Sequence, residues 1–207
     1  MLGIYGGTFN PVHYAHLRTA LEVGEIFALE TVKLIPCHLP PHREEPEVSA
    51  AQRCRMLEIA IADTPGLAID RRELDRAGPS YMVDTLQSLQ VDHPATRLLL
   101  FIGTDAFAGL QRWHRWQALF DYAHVVVMTR PGYQMPALPV ELSMRLTWDK
   151  PLLNERQAGL LYFQGVTALD ISATAIRQLL ADGRNPKFLL PDGVIDFIRQ
   201  HHLYSPH

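Results

Sequence analysis

The chain has 207 residues, of which 47% are hydrophobic and 20% are charged, and its formal net charge is -3 at pH 7. This composition is typical of a globular protein with a sizeable core, so we expect a single domain over residues 1–207. The small negative charge provides no broad basic surface, which argues against a nucleic-acid partner and requires any phosphate-bearing ligand to bind at a local site.

Neither the cysteines nor the apolar segments indicate export or membrane insertion. Cys37 and Cys54 do not form a CxxC or another metal-binding spacing. No apolar run approaches the roughly 20 residues that a bilayer-spanning helix needs, and the N-terminus lacks a basic region followed by an apolar signal segment. We therefore expect a cytoplasmic protein with two incidental thiols and no membrane partner.

Strand-like and helix-like segments alternate along the chain. Strands are predicted at 2–5, 31–36, 67–69, 97–102, 124–128 and 160–163. Helices are predicted at 12–29, 50–62, 81–90, 113–120, 172–181 and 193–201. Residues 98–102 are apolar without alternation, as in a parallel strand covered on both faces. The order predicts an α/β fold with a doubly wound parallel sheet, whose ligands bind beyond the carboxyl ends of the strands, and a small C-terminal helical part at about 172–207.

The segment that joins the first predicted strand to the first predicted helix reads GGTFNPVHYAHL over residues 6–17. Gly6 and Gly7 would let a phosphate approach the backbone closely, and the first turn of a helix has unpaired N–H groups that attract anions. His13 and His16 share one helix face, where a cationic imidazole would oppose the helix dipole unless an anion offset it. Capping, a core-edge position or a metal pair are the alternatives for these histidines, but no third metal ligand is suitably spaced nearby.

A second candidate phosphate site lies at residues 172–177, which read SATAIR. Ser172 can cap a helix whose first N–H groups favour anions, and the guanidinium of Arg177 pairs well with phosphate oxygens. The alternative is an ordinary capped helix with a surface arginine.

The segment at 6–17 resembles the paired-histidine motif of the nucleotidyltransferases, and specifically that of the bacterial nicotinate mononucleotide adenylyltransferases, which reads GGTFNPVHxGHL. Ala15 stands where that family usually has glycine between the histidines. The resemblance covers nearly the whole chain. It includes, in the family's order, LIPCHLPPHR at 34–43, SYMVDTL at 80–86, GTD at 103–105, WHRW at 113–116 and ISATAIR at 171–177.

The resemblance implies a Rossmann-like nucleotidyltransferase fold and an enzyme of NAD biosynthesis. Its substrates would be ATP and nicotinic acid mononucleotide, its products deamido-NAD and pyrophosphate, and Mg²⁺ would accompany ATP without dedicated protein ligands. The implied catalytic residues are His13, His16 and Arg177. The implied ATP-binding residues are Gly6, Gly7, Thr8, Phe9, His16, Asp105, Ser172, Thr174 and Arg177, of which Ser172, Thr174 and Arg177 would hold the β and γ phosphates.

The resemblance also places the nicotinate mononucleotide. Trp116 would stack on the nicotinate ring in a cation–π contact, and Thr85 with the backbone N–H of Gln117 would hold the ring carboxylate. His42 and Arg43, in the Pro-rich loop, would help to position phosphates. Core packing of the tryptophan and a solvated loop tip are the alternatives for these positions.

Asp105 follows the clearest predicted strand, where its carboxylate could accept hydrogen bonds from ribose hydroxyls. An N-cap at the start of the next helix is the alternative role of this residue.

Rival functions on the same scaffold use nicotinamide mononucleotide, pantetheine phosphate or a CTP-dependent acceptor. Trp116, Thr85 and the Ser80-Tyr81 pair argue against pantetheine phosphate as the acceptor. Nicotinamide mononucleotide is harder to exclude, because a site prefers the ring carboxylate over the ring amide only if it offers hydrogen-bond donors and no acceptors. A nucleotide-sensing module without turnover would lack a catalytic element, yet both histidines, Ser172 and Arg177 are present. A homo-oligomer is compatible with the sequence.

Overall fold

The computed structural model describes residues 1–40, 46, 48–167 and 169–205. Its centre is a six-stranded sheet in the order β3-β2-β1-β4-β5-β6, in which every pairing is parallel. The strands are β1 (Leu2–Gly7), β2 (Val32–Pro36), β3 (Leu67–Ile69), β4 (Leu98–Gly103), β5 (Ala123–Thr129) and β6 (Leu161–Gly165). The strand order reverses between β1 and β4, so the predicted doubly wound α/β fold is confirmed.

Helices follow most of the strands. They are α1 (Tyr14–Ile26), α2 (Ala50–Ile61), α3 (Met82–Asp92), α4 (Thr104–Ala108), α5 (Leu119–Tyr122), α6 (Val140–Ser143), α7 (Leu152–Glu155), α8 (Ala173–Ala181) and α9 (Asp192–Gln200). Local sequence determines where several of them begin. Ser49 and Gln52 form a reciprocal capping box at α2, and Ser172 caps α8 by accepting the Ala175 N–H at 3.1 Å. Within the described part of the chain, no helix is long and apolar enough to cross a membrane.

Two apolar clusters cover the two faces of the sheet. Successive side chains of a strand point to opposite faces, so Leu99 and Phe101 of β4 enter one cluster while Leu98, Leu100 and Ile102 enter the other. Helices α1, α2, α8 and α9 pack on the first face, and α3, α4 and α5 pack on the second. Because helices cover both faces of the sheet, the β4 side chains from Leu98 to Ile102 are all apolar. The carboxyl end of the strand is left uncovered by these helices.

The continuous helix predicted at 113–120 is wrong. Arg115 adopts the left-handed conformation, with φ 51° and ψ 42°, and the segment is divided into a 3₁₀ turn at Trp116–Ala118 followed by α5. A left-handed residue cannot continue a right-handed helix, and the apolar pattern alone carries no signal of this interruption. The aromatic positions of the segment consequently do not share one helical face.

Candidate active site

A pocket of about 1430 Å³ opens at the carboxyl ends of the strands, between the reversal point of β1 and β4 and the start of α8. Its walls come from the loop after β1, the starts of α3 and α4, and residues 166–167, 169 and 171–174. A single drug-sized ligand occupies roughly 300–1,000 Å³, so this volume suits two nucleotides side by side. The pocket therefore lies where a doubly wound sheet binds its ligands.

The glycines of the first motif extend β1 rather than ending it. Gly6 and Gly7 pair with Ile35 and Pro36 of β2, so the strand runs two residues beyond the predicted 2–5. A Cβ at Gly6 would lie 2.5 Å from Met82 Cε at the start of α3. A side chain at this position would therefore displace the end of the Met82 side chain, and both glycines line the pocket.

The two histidines form a stacked pair at the start of α1. His13 is the extended N-cap residue, His16 lies one turn into the helix, and their ring centroids are 3.7 Å apart with an interplanar angle of 25°. The His13 backbone N–H donates to His16 Nδ1 at 3.4 Å. Because Nδ1 accepts this bond, a neutral His16 ring carries its proton on Nε2.

Burial makes both rings neutral. It lowers the pKa of His13 to about 4, and it lowers the pKa of His16 to about 3 with a further contribution from the neighbouring His13. The cationic imidazole considered from the sequence is therefore wrong for this helix turn, and no charge opposes the dipole. His13 Nδ1 is buried without a hydrogen-bond partner among the described residues. Both histidines line the pocket, and as neutral rings they add no charge at the start of the helix.

The second phosphate segment is joined to the first by a direct hydrogen bond. Arg177 Nη1 donates to the Asn10 carbonyl at 2.8 Å, and its Nη2 donates to Thr174 Oγ1 at 3.3 Å. Ser172 and Thr174 are exposed at the start of α8 and line the same pocket as His16. The structure therefore brings into one pocket the residues of two distant motifs that the sequence predicts to be catalytic or phosphate-binding.

Arg53, which the sequence analysis did not single out, organises the loop after β1. It is 1% exposed and donates to the carbonyls of Thr8 at 2.6 Å, His38 at 3.1 Å and Val48 at 3.3 Å. The neighbouring Phe9 is buried in the left-handed conformation, with φ 47°, a strained state that persists only where the surroundings hold it. The sequence did carry one signal of this role, because Arg53 is a charged residue on the apolar face of α2, three positions before the buried Met56.

Thr85 lies in a buried polar network rather than on the pocket wall. Its hydroxyl donates to Glu73 Oε1 at 2.7 Å and accepts from Arg76 Nη2 at 3.0 Å. Burial raises the pKa of Glu73, while the hydrogen bonds from Thr85 and Ser80 and the charge of Arg76 oppose that rise. Glu73 and Ser80 themselves line the pocket. The Thr85 hydroxyl therefore already donates its one hydrogen bond to the Glu73 carboxyl group.

Trp116 and Gln117 also lie away from the pocket wall as far as the described residues define it. Trp116 is buried and packs edge-on against Phe120 at 6.5 Å. Near the start of α3, the aromatic side chains on the wall include Trp113 and the ring pair of Tyr81 and His114, whose centroids are 4.2 Å apart.

Asp105 occupies the first turn of α4, directly after β4, where it is exposed to the pocket. Gly103 is the N-cap residue of that helix, so capping is not the role of Asp105. His42 and Arg43 lie outside the described residues. Among the described residues no group of three or more His, Cys, Asp or Glu is placed to hold a metal ion.

Comparison with known proteins shows to which family this chain belongs. The family model described as cytidylyltransferase-like matches residues 4–179. A Methylococcus capsulatus protein named "Probable nicotinate-nucleotide adenylyltransferase" is 49% identical over 99% of this chain and 100% of its own length. A Pseudomonas aeruginosa protein of the same name is 46% identical over 100% of this chain and 98% of its own length.

A solved structure with a similar fold is that of Plasmodium falciparum nicotinic acid mononucleotide adenylyltransferase complexed with NaAD. It superimposes with a TM-score of 0.74 and covers 98% of this chain and 96% of its own chain. The sequence identity is 19%, so this similarity concerns the fold.

Proposed function

Because the chain belongs to the cytidylyltransferase-like family and, within it, to the nicotinate-nucleotide adenylyltransferases, we propose that its pocket joins the AMP of ATP to nicotinic acid mononucleotide. The products are deamido-NAD and pyrophosphate, and the family expected from the sequence motifs is confirmed. The observation that carries the proposal is the hydrogen bond from Arg177 to Asn10, which holds the second phosphate segment against the loop that leads into the histidine pair.

ATP would lie across the reversal point of the sheet. The polyphosphate would extend toward α8, where Ser172, Thr174 and Arg177 can hold the β and γ phosphates, and Asp105 would accept hydrogen bonds from ribose hydroxyls. Gly6, Gly7, Thr8 and Phe9 would line the path of the α phosphate. All of these residues line the one pocket, which supports a shared site.

The reaction needs no covalent enzyme intermediate. A 5′-phosphate oxygen of the mononucleotide attacks the α phosphorus of ATP in line, the new P–O bond forms, and the bond from the α phosphorus to the bridging oxygen breaks. The neutral His16 would donate its Nε2–H to a nonbridging α-phosphate oxygen, and His13 would sit beside it. Arg177 would balance the charge that develops on the leaving pyrophosphate. Catalysis of this kind works by positioning and by preorganised hydrogen-bond donors.

Mg²⁺ would be held by the ATP phosphates and by water rather than by a cage of protein ligands. The donor set supports this, because Asp105 is an isolated carboxylate and the described residues contain no larger cluster suited to a cation. Mg²⁺ is commonly bound in this way, through one or two carboxylates and substrate phosphates. When bound it would neutralise phosphate charge.

The nicotinate ring would bind on the side of α3. Stacking on Trp116 and hydrogen bonds from Thr85 and Gln117 remain our assignment for the ring and its carboxylate. Trp116 is buried and Thr85 is engaged with Glu73, so this assignment requires residues 113–118 to rearrange when the acceptor enters. His42 and Arg43 would help to position its phosphate.

The test is pyrophosphate release from ATP and Mg²⁺ with nicotinic acid mononucleotide and, in parallel, with nicotinamide mononucleotide. We expect rapid release with the acid and much slower release with the amide. Equal rates would make the enzyme dual-specific and would contradict the carboxylate site. No release with either acceptor would overturn the proposed reaction.

A further inference from the structure

The last described residues of the chain return to the nucleotide pocket. Tyr204 lines this pocket, and its hydroxyl donates to the side-chain oxygen of Asn10, which is 194 positions earlier in the sequence. Its backbone is left-handed, with φ 59°, which is a rare conformation for a bulky residue and persists only where packing holds it. The ring also packs against the apolar cluster under α1. The segment after α9 is thus fixed in a conformation that aims one hydroxyl at one loop residue.

Asn10 is the point at which two separate parts of the chain meet. Its side chain accepts the Tyr204 hydroxyl, and its backbone carbonyl accepts Arg177 Nη1 at 2.8 Å. Two residues earlier, Arg53 binds the carbonyl of Thr8 at 2.6 Å. The loop that precedes the histidine pair is therefore held by α2, α8 and the C-terminal segment.

The tyrosine is suited to donate a hydrogen bond and nothing more. Burial raises the pKa of Tyr204, even though the nearby Arg177 and Arg53 act in the opposite direction. The hydroxyl consequently stays protonated at neutral pH and remains a neutral donor. No proton transfer is required of it.

We propose that Tyr204 is a positioning residue of the adenylyl transfer: its hydroxyl fixes Asn10, and through the Asn10 carbonyl it sets the place of Arg177 against the ATP polyphosphate. This inference rests on the proposed role of Arg177 in holding the β and γ phosphates. The C-terminal segment is then part of the ATP site although it shares no motif with it.

The test compares Tyr204→Phe with the wild-type enzyme. Loss of one neutral hydrogen bond should raise the KM for ATP roughly three- to tenfold, while the KM for nicotinic acid mononucleotide stays unchanged. Tyr162→Phe is the matched control, because Tyr162 packs against the same apolar cluster and its hydroxyl makes no hydrogen bond to a described residue. The control should leave both KM values as they are.

A double-mutant cycle separates positioning from general loosening. Asn10→Ala removes the side-chain acceptor but keeps the carbonyl that binds Arg177. Because Tyr204→Phe and Asn10→Ala break the same bond, the double variant should be no worse for ATP than Asn10→Ala alone. Additive effects, or a lower melting temperature with an unchanged KM for ATP, would overturn the proposal.

Calorimetric titration of each variant with ATP in the absence of acceptor measures ATP affinity without turnover, so it tests the role of Tyr204 independently of the proposed reaction. A weaker ATP affinity in Tyr204→Phe supports the positioning role even where pyrophosphate release fails, because that failure would count against the proposed reaction and not against the ATP site. An unchanged ATP affinity in Tyr204→Phe overturns the positioning role.

Discussion

Removal of the His16 side chain should abolish most of the turnover and leave the fold intact. His16 is a neutral ring whose Nδ1 is engaged by the His13 backbone N–H, so the group lost in His16→Ala is the Nε2–H donor at the pocket. Loss of one preorganised donor to a developing charge costs about 2.7–4 kcal/mol in the activation barrier, which corresponds to a decrease of roughly 10²–10³ in kcat. The melting temperature should change little, because α1 retains its apolar contacts through Leu17, Ala20 and Val23.

The assay is the initial rate of pyrophosphate release at saturating ATP and nicotinic acid mononucleotide, with circular dichroism as the check on folding. His16→Gln should recover part of the activity, since its amide N–H₂ extends about as far as Nε2 of the imidazole. His201→Ala is the control, because His201 is exposed at the end of α9, where its ring hydrogen-bonds the Phe197 carbonyl and stacks on the Phe197 ring. Normal turnover in folded His16→Ala would refute the assigned role.

Two further predictions concern stability. The free energy of unfolding should fall as the pH falls from about 7 toward 5, because His13 and His16 have pKa values of about 4 and 3 in the folded chain against 6.5 in the unfolded chain. The two imidazoles together should lower it by up to about 2.7 kcal/mol per pH unit. The unfolded chain binds protons that the folded chain cannot, so this stabilisation is complete above pH 6.5 and is lost below it. Urea titrations measure it, and equal midpoints at pH 7 and pH 5 would contradict it. Arg53→Met should lower stability by at least about 1.5–3 kcal/mol, the worth of one hydrogen bond to a charged group, and should raise the KM for ATP by displacing the Thr8 loop. Arg55→Met, which removes only the exposed ion pair with Glu58, should do neither, and an equal loss in both variants would argue against the organising role.

Local sequence determined most of the helices and strands of this protein and pointed to its two candidate phosphate-binding segments. The unbroken apolar run of β4, the glycine pair after a strand and the cap at Ser172 each act over a few residues, so their patterns can be interpreted without knowledge of the fold. The doubly wound parallel sheet and the place of the pocket at its carboxyl edge also followed, since alternating strands and helices admit few topologies. The continuous helix at 113–120 was predicted wrongly because a left-handed residue such as Arg115 has no apolar signature.

Only the tertiary structure decided the chemistry of the side chains. Whether His13 and His16 carry a charge depends on how deeply the rest of the chain buries them, and burial is a property of packing rather than of spacing. The hydrogen bonds of Arg177 and Tyr204 to Asn10 join residues 167 and 194 positions apart, a distance over which no local pattern extends. The sequence therefore predicts candidate residues for the site, while packing determines their protonation, their partners and which of them face the pocket.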